Sequence, residues 1–357
     1  MQSLRRNIGI VVALCVLTVT SLGVSTPAGA ASNSLGVNPR RDYTVKSGDK
    51  LSDTLYVTNL SKTDALNIDI QLIDFSAQDE TGSPKLLLAQ TEPTRWSLKP
   101  YLTIAKNVKI DAGKSAEIPF TIAIPASVGA GSYYGAIKYS ANGENGNNNN
   151  VSLTSSSATL VFVRVPGEAN DALRLKEFGA FTPDRTGKGG DFGKLYMGAP
   201  PKYLAYRLTN TGNVAEQPGG SVELKNVFGK QVKVFEKANP NNSTVLIDQT
   251  RRIDLCFNEE KTKRNDPASG REIEESKCND SGLAPGRYTA KLAVLYGDSN
   301  NGSSSHELGS VISFWYLPVW FLVVLALGVL LLAAIVWALI RKLSGKGRGG
   351  YRSGARR

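Results

Sequence analysis

The residue types that most enzymes use for catalysis are scarce in this chain. Its 357 residues include one histidine and three cysteines. The histidine, His306, lies in a Ser/Gly-rich stretch that offers no packed cleft for a Ser-His-Asp or Cys-His site. The sequence also lacks an HExxH motif, a Gly-x-Ser-x-Gly elbow, a P-loop and a dinucleotide-binding glycine pattern. We therefore expect no enzyme activity, no cofactor and no metal site.

Acidic residues are absent from both ends of the chain. The start holds Arg5 and Arg6, and the last seventeen residues hold seven more basic residues. Without these nine, the 42 Lys and Arg residues fall to 33, against 31 Asp and Glu. The net charge of +11 therefore belongs to the ends, and the nearly neutral body is not expected to bind nucleic acid.

Residues 1–30 have the features of a secretory signal peptide. An uncharged run over residues 8–24 follows Arg5 and Arg6, and the small residues Ala28-Gly29-Ala30 suit signal peptidase. We predict cleavage after Ala30, which would also remove Cys15. A retained N-terminal anchor is the alternative, but the run is short and a cleavage motif follows it.

A second apolar run predicts a transmembrane helix over residues 317–340. Residues 319–340 carry no charge, and as a helix they would extend about 33 Å, enough to cross a hydrocarbon core of roughly 30 Å. The basic residues of 341–357 predict a cytoplasmic tail that touches anionic lipid head groups, so the body faces outward from the cell membrane. RNA binding by this Gly/Arg-rich tail is the lesser alternative.

Between the two apolar runs, polar and apolar residues alternate with period two in many places. In residues 66–72 the apolar side chains share one face, and the alternation then slips at Ile73 and Phe75, as a bulge or strand end would require. Turn signals separate such runs, and no long helical periodicity interrupts them. The pattern predicts an all-β body of two tandem immunoglobulin-like β-sandwich domains, residues 31–168 and 169–298, with about seven strands in the first.

The residues between the second domain and the helix are rich in Ser, Asn and Gly. This composition is typical of a flexible linker. We predict a stalk over residues 299–316.

Cys256 and Cys278 are the two cysteines of the predicted mature body, and they flank a charged insert, residues 258–277. In an oxidising compartment two cysteines most simply form one disulfide, which would restrict the unfolded chain by about 3 kcal/mol. Free thiols or a metal pair are the alternative, although no histidine or third cysteine lies nearby to complete a zinc site.

Three aromatic residues are candidate ligand contacts. Trp96 lies between Arg95 and Ser97 and could stack on a sugar, and Tyr133 and Tyr134 offer similar surfaces. The alternative for all three is core filling, which is the more frequent use of such residues.

A set of motifs in the first domain resembles a known family. In chain order they are Gly36-Val37-Asn38-Pro39, Ser47-Gly48-Asp49, Val57-Thr58-Asn59, Asp74-Phe75, the segment from Ile118 to Pro125, and Gly131-Ser132-Tyr133-Tyr134-Gly135-Ala136-Ile137. This order resembles the N-terminal module of bacterial WxL-interacting cell-surface proteins over residues 36–166. The resemblance implies a first domain associated with peptidoglycan and a second domain associated with host-surface or partner proteins. The insert between Cys256 and Cys278 departs from the family pattern.

These observations favour a membrane-anchored, extracytoplasmic, non-catalytic protein that binds cell-wall glycan or surface proteins, in adhesion or as a scaffold of a surface complex. A structural or assembly subunit of a secretion or envelope complex is the alternative. An envelope hydrolase is the third. It would depend on adjacent acids such as Asp79-Glu80 or Glu259-Glu260, which are more often solvated charge.

Overall fold

The computed structural model describes residues 35–90, 92–143, 155–265, 272–298 and 304–344. The predicted signal peptide, residues 1–30, and the tail from residue 345 onward lie outside the described residues and stay predictions. Residues 299–303 of the predicted stalk also lie outside them.

The first domain contains eleven strands in the described residues: β1 (Leu35–Val37), β2 (Arg40–Thr44), β3 (Lys50–Asn59), β4 (Leu66–Ile73), β5 (Phe75–Ala77), β6 (Pro84–Leu86), β7 (Leu102–Ile104), β8 (Asn107–Ile110), β9 (Ser115–Ala123), β10 (Gly131–Gly143) and β11 (Ser155–Val165). Nine of them form the two sheets of the sandwich, and β5 and β6 pair in a separate two-stranded sheet. One sheet has the order β1-β3-β9-β7, and the facing sheet has the order β2-β11-β10-β4-β8. β2 runs parallel to β11. The strands exceed the predicted number because edge strands such as β1 and β7 are too short to show an alternating pattern.

The core of the first sandwich lies between the two sheets. Leu66, Ile68 and Ile70 of β4 are buried in it, whereas Asp69 and Gln71 between them are exposed. The predicted break in the alternation is confirmed, because β4 ends at Ile73. Phe75 is fully buried, but in a separate apolar cluster.

The second sandwich and the insert comprise another eleven strands of the described chain: β12 (Leu173–Pro183), β13 (Gly190–Gly193), β14 (Leu195–Tyr196), β15 (Tyr203–Asn210), β16 (Gly219–Asn226), β17 (Gln231–Phe235), β18 (Thr250–Cys256), β19 (Asn258–Asn265), β20 (Glu272–Asn279), β21 (Gly286–Asp298) and β22 (Ser304–Tyr316). The sheets have the orders β13-β12-β15-β18 and β14-β22-β21-β16-β17. The predicted pair of tandem immunoglobulin-like β-sandwiches is confirmed.

The insert forms a hairpin of its own. β19 and β20 pair with each other in a separate two-stranded sheet, and every residue of β19 is exposed. Cys256 and Cys278 are joined by a disulfide at the base of this hairpin, as predicted. An isolated two-stranded hairpin is marginally stable in water, so the disulfide is a main constraint on its position.

The predicted stalk over residues 299–316 is wrong for residues 304–316. These residues form β22, which pairs with β21 from Ser304 to Tyr316. Phe314 and Tyr316 on one face are buried, whereas Gly309 and Val311 on the other face are exposed. The Ser and Gly residues from Ser304 onward are thus part of a regular strand of the second sandwich.

A single long helix follows β22 after two residues. Helix α1 (Val319–Ser344) is the one helix of the described chain that is long and apolar enough to cross a membrane. It extends four residues beyond the predicted end at Ile340, through Arg341 and Lys342.

Both sandwiches use a buried asparagine at equivalent places, the end of β3 and the end of β15. The side-chain amide of Asn59 donates to the carbonyl oxygens of Asp64 and Ile110 at 2.8 and 3.1 Å. That of Asn210 donates to the carbonyl oxygens of Val214 and Val245 at 2.6 and 2.9 Å. Each asparagine therefore satisfies main-chain groups of a loop that would otherwise be buried without partners.

Replacing either asparagine should destabilise the protein. We expect Asn59→Ala and Asn210→Ala each to lower the free energy of unfolding by about 2–4 kcal/mol, because buried carbonyl groups lose their donors. Urea titration followed by tryptophan fluorescence measures this. Asn241→Ala is the control, since Asn241 is exposed and its loss should change the value by less than about 0.5 kcal/mol. Equal effects of all three changes would contradict the role given to the buried pair.

Candidate functional site

The two sandwiches pack against each other through a third apolar cluster, which we call the interdomain seam. The first sandwich contributes Phe75, Tyr134 and Phe162, and the second contributes Leu246 and Ile247. The ring of Tyr134 lies 5.2 Å from that of Phe75 and 5.5 Å from that of Phe162. Burial of this apolar surface favours a fixed packing of the two sandwiches.

Two of the three predicted ligand contacts, Trp96 and Tyr134, pack in the seam. Tyr134 is fully buried, so the interpretation of this residue as a ligand contact is wrong. Trp96 is half-buried and stacks on Tyr134 with the ring centres 5.8 Å apart. Tyr133 packs against the first core, and its hydroxyl donates to the carbonyl oxygen of Gly129 at 3.1 Å. These positions assign Trp96 and Tyr134 to domain packing, and a ligand contact by Tyr133 stays a prediction.

Main-chain hydrogen bonds also join the sandwiches at the seam. The amide of Ser132 donates to the carbonyl oxygen of Asn213 at 2.9 Å, and the amide of Ala215 donates to the hydroxyl of Ser132 at 3.0 Å. Gly131 has φ of +147°, and a Cβ there would lie 2.8 Å from the Asn213 carbonyl oxygen. A glycine is therefore required for this close approach of the two backbones.

Charged side chains frame the seam. Arg95 pairs with Asp248 at 2.7 Å, and Arg207 of the second sandwich pairs with Glu80 of the first at 2.6 Å. The guanidinium of Arg40 lies 4.2 Å from the centre of the Phe162 ring and donates to Thr244 at 2.8 Å. Exposed ion pairs add little to stability, so we infer that these pairs orient the two sandwiches and contribute little to the free energy of their packing.

A polar cavity of about 360 Å³ lies beside the seam, lined by Arg40 and Arg164 of the first sandwich and by Glu216 and Tyr296 of the second. Glu216 is 4% exposed, and its carboxyl group accepts a hydrogen bond from the amide of Gly297 at 3.2 Å. Burial, assisted by the neighbouring Asp171 carboxyl group, raises the pKa of Glu216 from 4.5 to about 8. Glu216 therefore keeps its proton at neutral pH in the folded protein.

The second sandwich is joined directly to the helix. The amide of Leu317 donates to the carbonyl oxygen of Tyr196 at 2.8 Å, and that of Val319 donates to the carbonyl oxygen of Met197 at 3.1 Å. Trp315 and Trp320 at this junction are 45% and 60% exposed. Exposed aromatic rings at the start of an apolar helix are typical of residues at a membrane interface.

The remaining candidate reactive residues of the described chain lie apart from one another. His306 lies in β22 and stacks on Tyr296 with the ring centres 5.1 Å apart. In the part of the chain that the structure describes, no group of three or more His, Cys, Asp or Glu side chains could hold a metal ion. Glu80 of the acidic pair Asp79-Glu80 is engaged with Arg207.

Sequence reasoning missed the seam and Glu216. The one local signal of the seam in the sequence is the break in alternation at Ile73 and Phe75, because Phe75 packs in the seam and not in the first core. Glu216 has no local signal, because the groups that determine its environment, Asp171 and Gly297, are distant in sequence.

Comparisons with known proteins add little to this description. No protein-family model and no curated protein sequence matches the chain. Among solved structures, the class 5 fimbriae chaperone CfaA is similar at 11% identity and a TM-score of 0.34, over 78% of this chain and 98% of that one. The E. coli chaperone DraB gives 13% and 0.31, over 78% and 95%. A PapD-like domain of human CEP192 gives 12% and 0.28, over 42% and 96%. Likeness at this level assigns no function.

The buried Glu216 should make stability depend on pH. The folded state holds the proton up to about pH 8, whereas the unfolded side chain releases it near pH 4.5, so the stability contributed by this site falls as the pH rises between these values. Glu216→Gln removes this titration and keeps the volume of the side chain. The free energy of unfolding of this variant relative to the wild type should rise by at least about 1.4 kcal/mol between pH 5 and pH 9, since each pKa unit corresponds to that much.

Urea titrations at the two pH values measure the difference. Glu236→Gln is the matched control, because Glu236 is exposed. If the difference between the Glu216 variant and the wild type does not change with pH, Glu216 is already ionised in the folded protein.

Proposed function

We propose that this protein is a membrane-anchored, non-catalytic binding protein of the cell surface, which holds its first sandwich away from the membrane for attachment to cell-wall glycan or surface proteins. The proposal has one main support, the opposite placement of the seam and the membrane junction. The cavity beside the seam and the membrane junction lie at opposite ends of the β21–β22 hairpin.

The distance between these ends follows from strand geometry. Tyr296 and Gly297 at one end of β21 line the cavity beside the seam, whereas Gly286 at the other end pairs with Tyr316, three residues before the helix. Each strand has thirteen residues, and a strand of this length extends about 40 Å. The first sandwich is therefore the membrane-distal part of the body.

The orientation across the membrane rests on charge. Arg341 and Lys342 lie in the last turn of the helix, and the sequence after them contains five more basic residues and no acidic residue. Basic residues favour the cytoplasmic side, so the sandwiches face outward. Protease added to intact cells should then remove the sandwiches and leave a short membrane fragment. Protection of the whole body from the protease would reverse this orientation.

Binding to the wall is supported by the resemblance of residues 36–166 to the peptidoglycan-associated module of WxL-interacting proteins. The second candidate, an assembly subunit, is favoured by the hairpin β19–β20. No described residue of this hairpin is part of either core, and the disulfide fixes its base, so it could reach a partner protein.

Sedimentation with purified peptidoglycan tests the wall-binding function. The full chain in mild detergent should pellet with the peptidoglycan, and moderate salt should weaken this little because the body is nearly neutral. A variant with the seven basic residues after Ile340 changed to Gln is the control for adsorption through the tail, and it should pellet equally. Protein that stays in the supernatant, or that pellets only with its basic tail, contradicts wall binding and leaves the assembly role.

A further inference from the structure

A groove of about 790 Å³ crosses the side of the first sandwich, far from the membrane junction. One wall is β7, and the opposite wall is the second half of β4 with Lys138 of β10 beside it. The loop that follows β6, residues 87–90, forms the rim. The groove is separate from the interdomain seam and from the cavity that holds Glu216.

Two open strand edges border this groove. β7 is the last strand of its sheet. β8 covers β4 only from Leu66 to Asp69, and the amide of Ile70 donates to the carbonyl oxygen of Lys106 at 2.7 Å. Beyond Ile70, no described strand pairs with β4 on that side. An open edge offers main-chain donors and acceptors to an added extended segment.

Apolar side chains line the groove between these edges. Leu102 is buried, and Leu72 and Ile104 are half-buried. Leu88 on the rim is 64% exposed. The groove thus offers apolar contacts to every second side chain of a strand that lies in it.

The charge of the lining has one sign. Lys99, Lys106 and Lys138 line the groove, and no carboxylate lines it. Lys99 lies 3.6 Å from Asp74, whose side chain is fully buried behind it. Lys106 and Lys138 are therefore the two lysines of the groove that we expect to bind an anionic group of a partner. Positive charges at the entrance of the groove raise the association rate and the affinity of an acidic partner.

We propose that this groove binds an extended, acidic segment of a partner protein, which adds as a strand to the edge of β7. Apolar side chains of the segment contact Leu72, Ile104 and Leu88, and its carboxylates pair with Lys106 and Lys138. A lipid is disfavoured as the occupant because the first sandwich lies about 40 Å from the membrane junction. The inference rests on the proposed function only for the outward exposure of this sandwich.

Fluorescence anisotropy with a labelled octapeptide of alternating Glu and Val tests the proposal on the full chain in mild detergent. The wild type should bind this peptide, and an octapeptide of alternating Lys and Val should bind at least about tenfold more weakly. A Glu/Val peptide with a central proline should also bind more weakly, because proline cannot complete the strand pairing. Equal binding of all three peptides, or no binding of the Glu/Val peptide, overturns the proposal.

Variants locate the binding in the groove. Lys106→Glu with Lys138→Glu should weaken Glu/Val binding at least about tenfold, whereas Lys46→Glu with Lys114→Glu, two exposed lysines outside the groove, should change it less than about twofold. Leu88→Asp is a second variant that should weaken binding, and its exposed position makes loss of the fold an inadequate explanation. Equal losses in both lysine pairs overturn the assignment.

Wall binding and peptide binding can fail separately. The variant with Lys106→Glu and Lys138→Glu should still pellet with peptidoglycan, and peptidoglycan should not compete with the Glu/Val peptide. Competition by peptidoglycan would assign the groove to the wall polymer and overturn the protein partner. Peptide binding without sedimentation would remove wall binding alone and leave the groove assignment in place.

Discussion

The packing of Tyr134 in the interdomain seam is the contact on which the arrangement of this protein depends. Its ring fills the space between Phe75 and Phe162 of its own sandwich, and Ile247 of the second sandwich closes the same cluster. Aromatic pairs contribute about 0.5–1.5 kcal/mol each beyond the burial of area. The main-chain bond between Ser132 and Asn213 then fixes the relative rotation of the two domains. Without this seam, the sandwiches would be joined by the linker and by ion pairs and hydrogen bonds such as Arg207–Glu80.

The β21–β22 hairpin connects the region of the seam to helix α1. It runs from the cavity beside the seam to the start of helix α1, and the amides of Leu317 and Val319 tie its end to β14 and the residue after it. The body therefore has no stalk between β22 and the helix. A partner bound in the groove of the first sandwich, or a wall polymer, would be held at a set height above the membrane.

The local pattern of the sequence predicted the sandwiches, the disulfide and the apolar helix, because each depends on nearby residues or on composition. The alternation of apolar and polar residues over 66–72 predicts a strand from the local sequence alone. β22 was missed because its first half is rich in Ser and Gly, a composition that resembles a linker. For Tyr134 the core-filling alternative is the correct one, and Glu216 was missed because no local pattern records the burial of a single acidic side chain.

The central claim is that the first sandwich stands at a fixed position relative to the membrane helix. Spin labels at Lys114→Cys in the first sandwich and Lys194→Cys beside the membrane junction, both exposed positions, allow a direct test in a chain that also carries Cys15→Ser, because Cys256 and Cys278 are already bonded. The distance between the labels, measured by double electron–electron resonance on the full chain in lipid nanodiscs, should form one narrow distribution. A broad or bimodal distribution would show that the sandwiches move independently and would contradict the account.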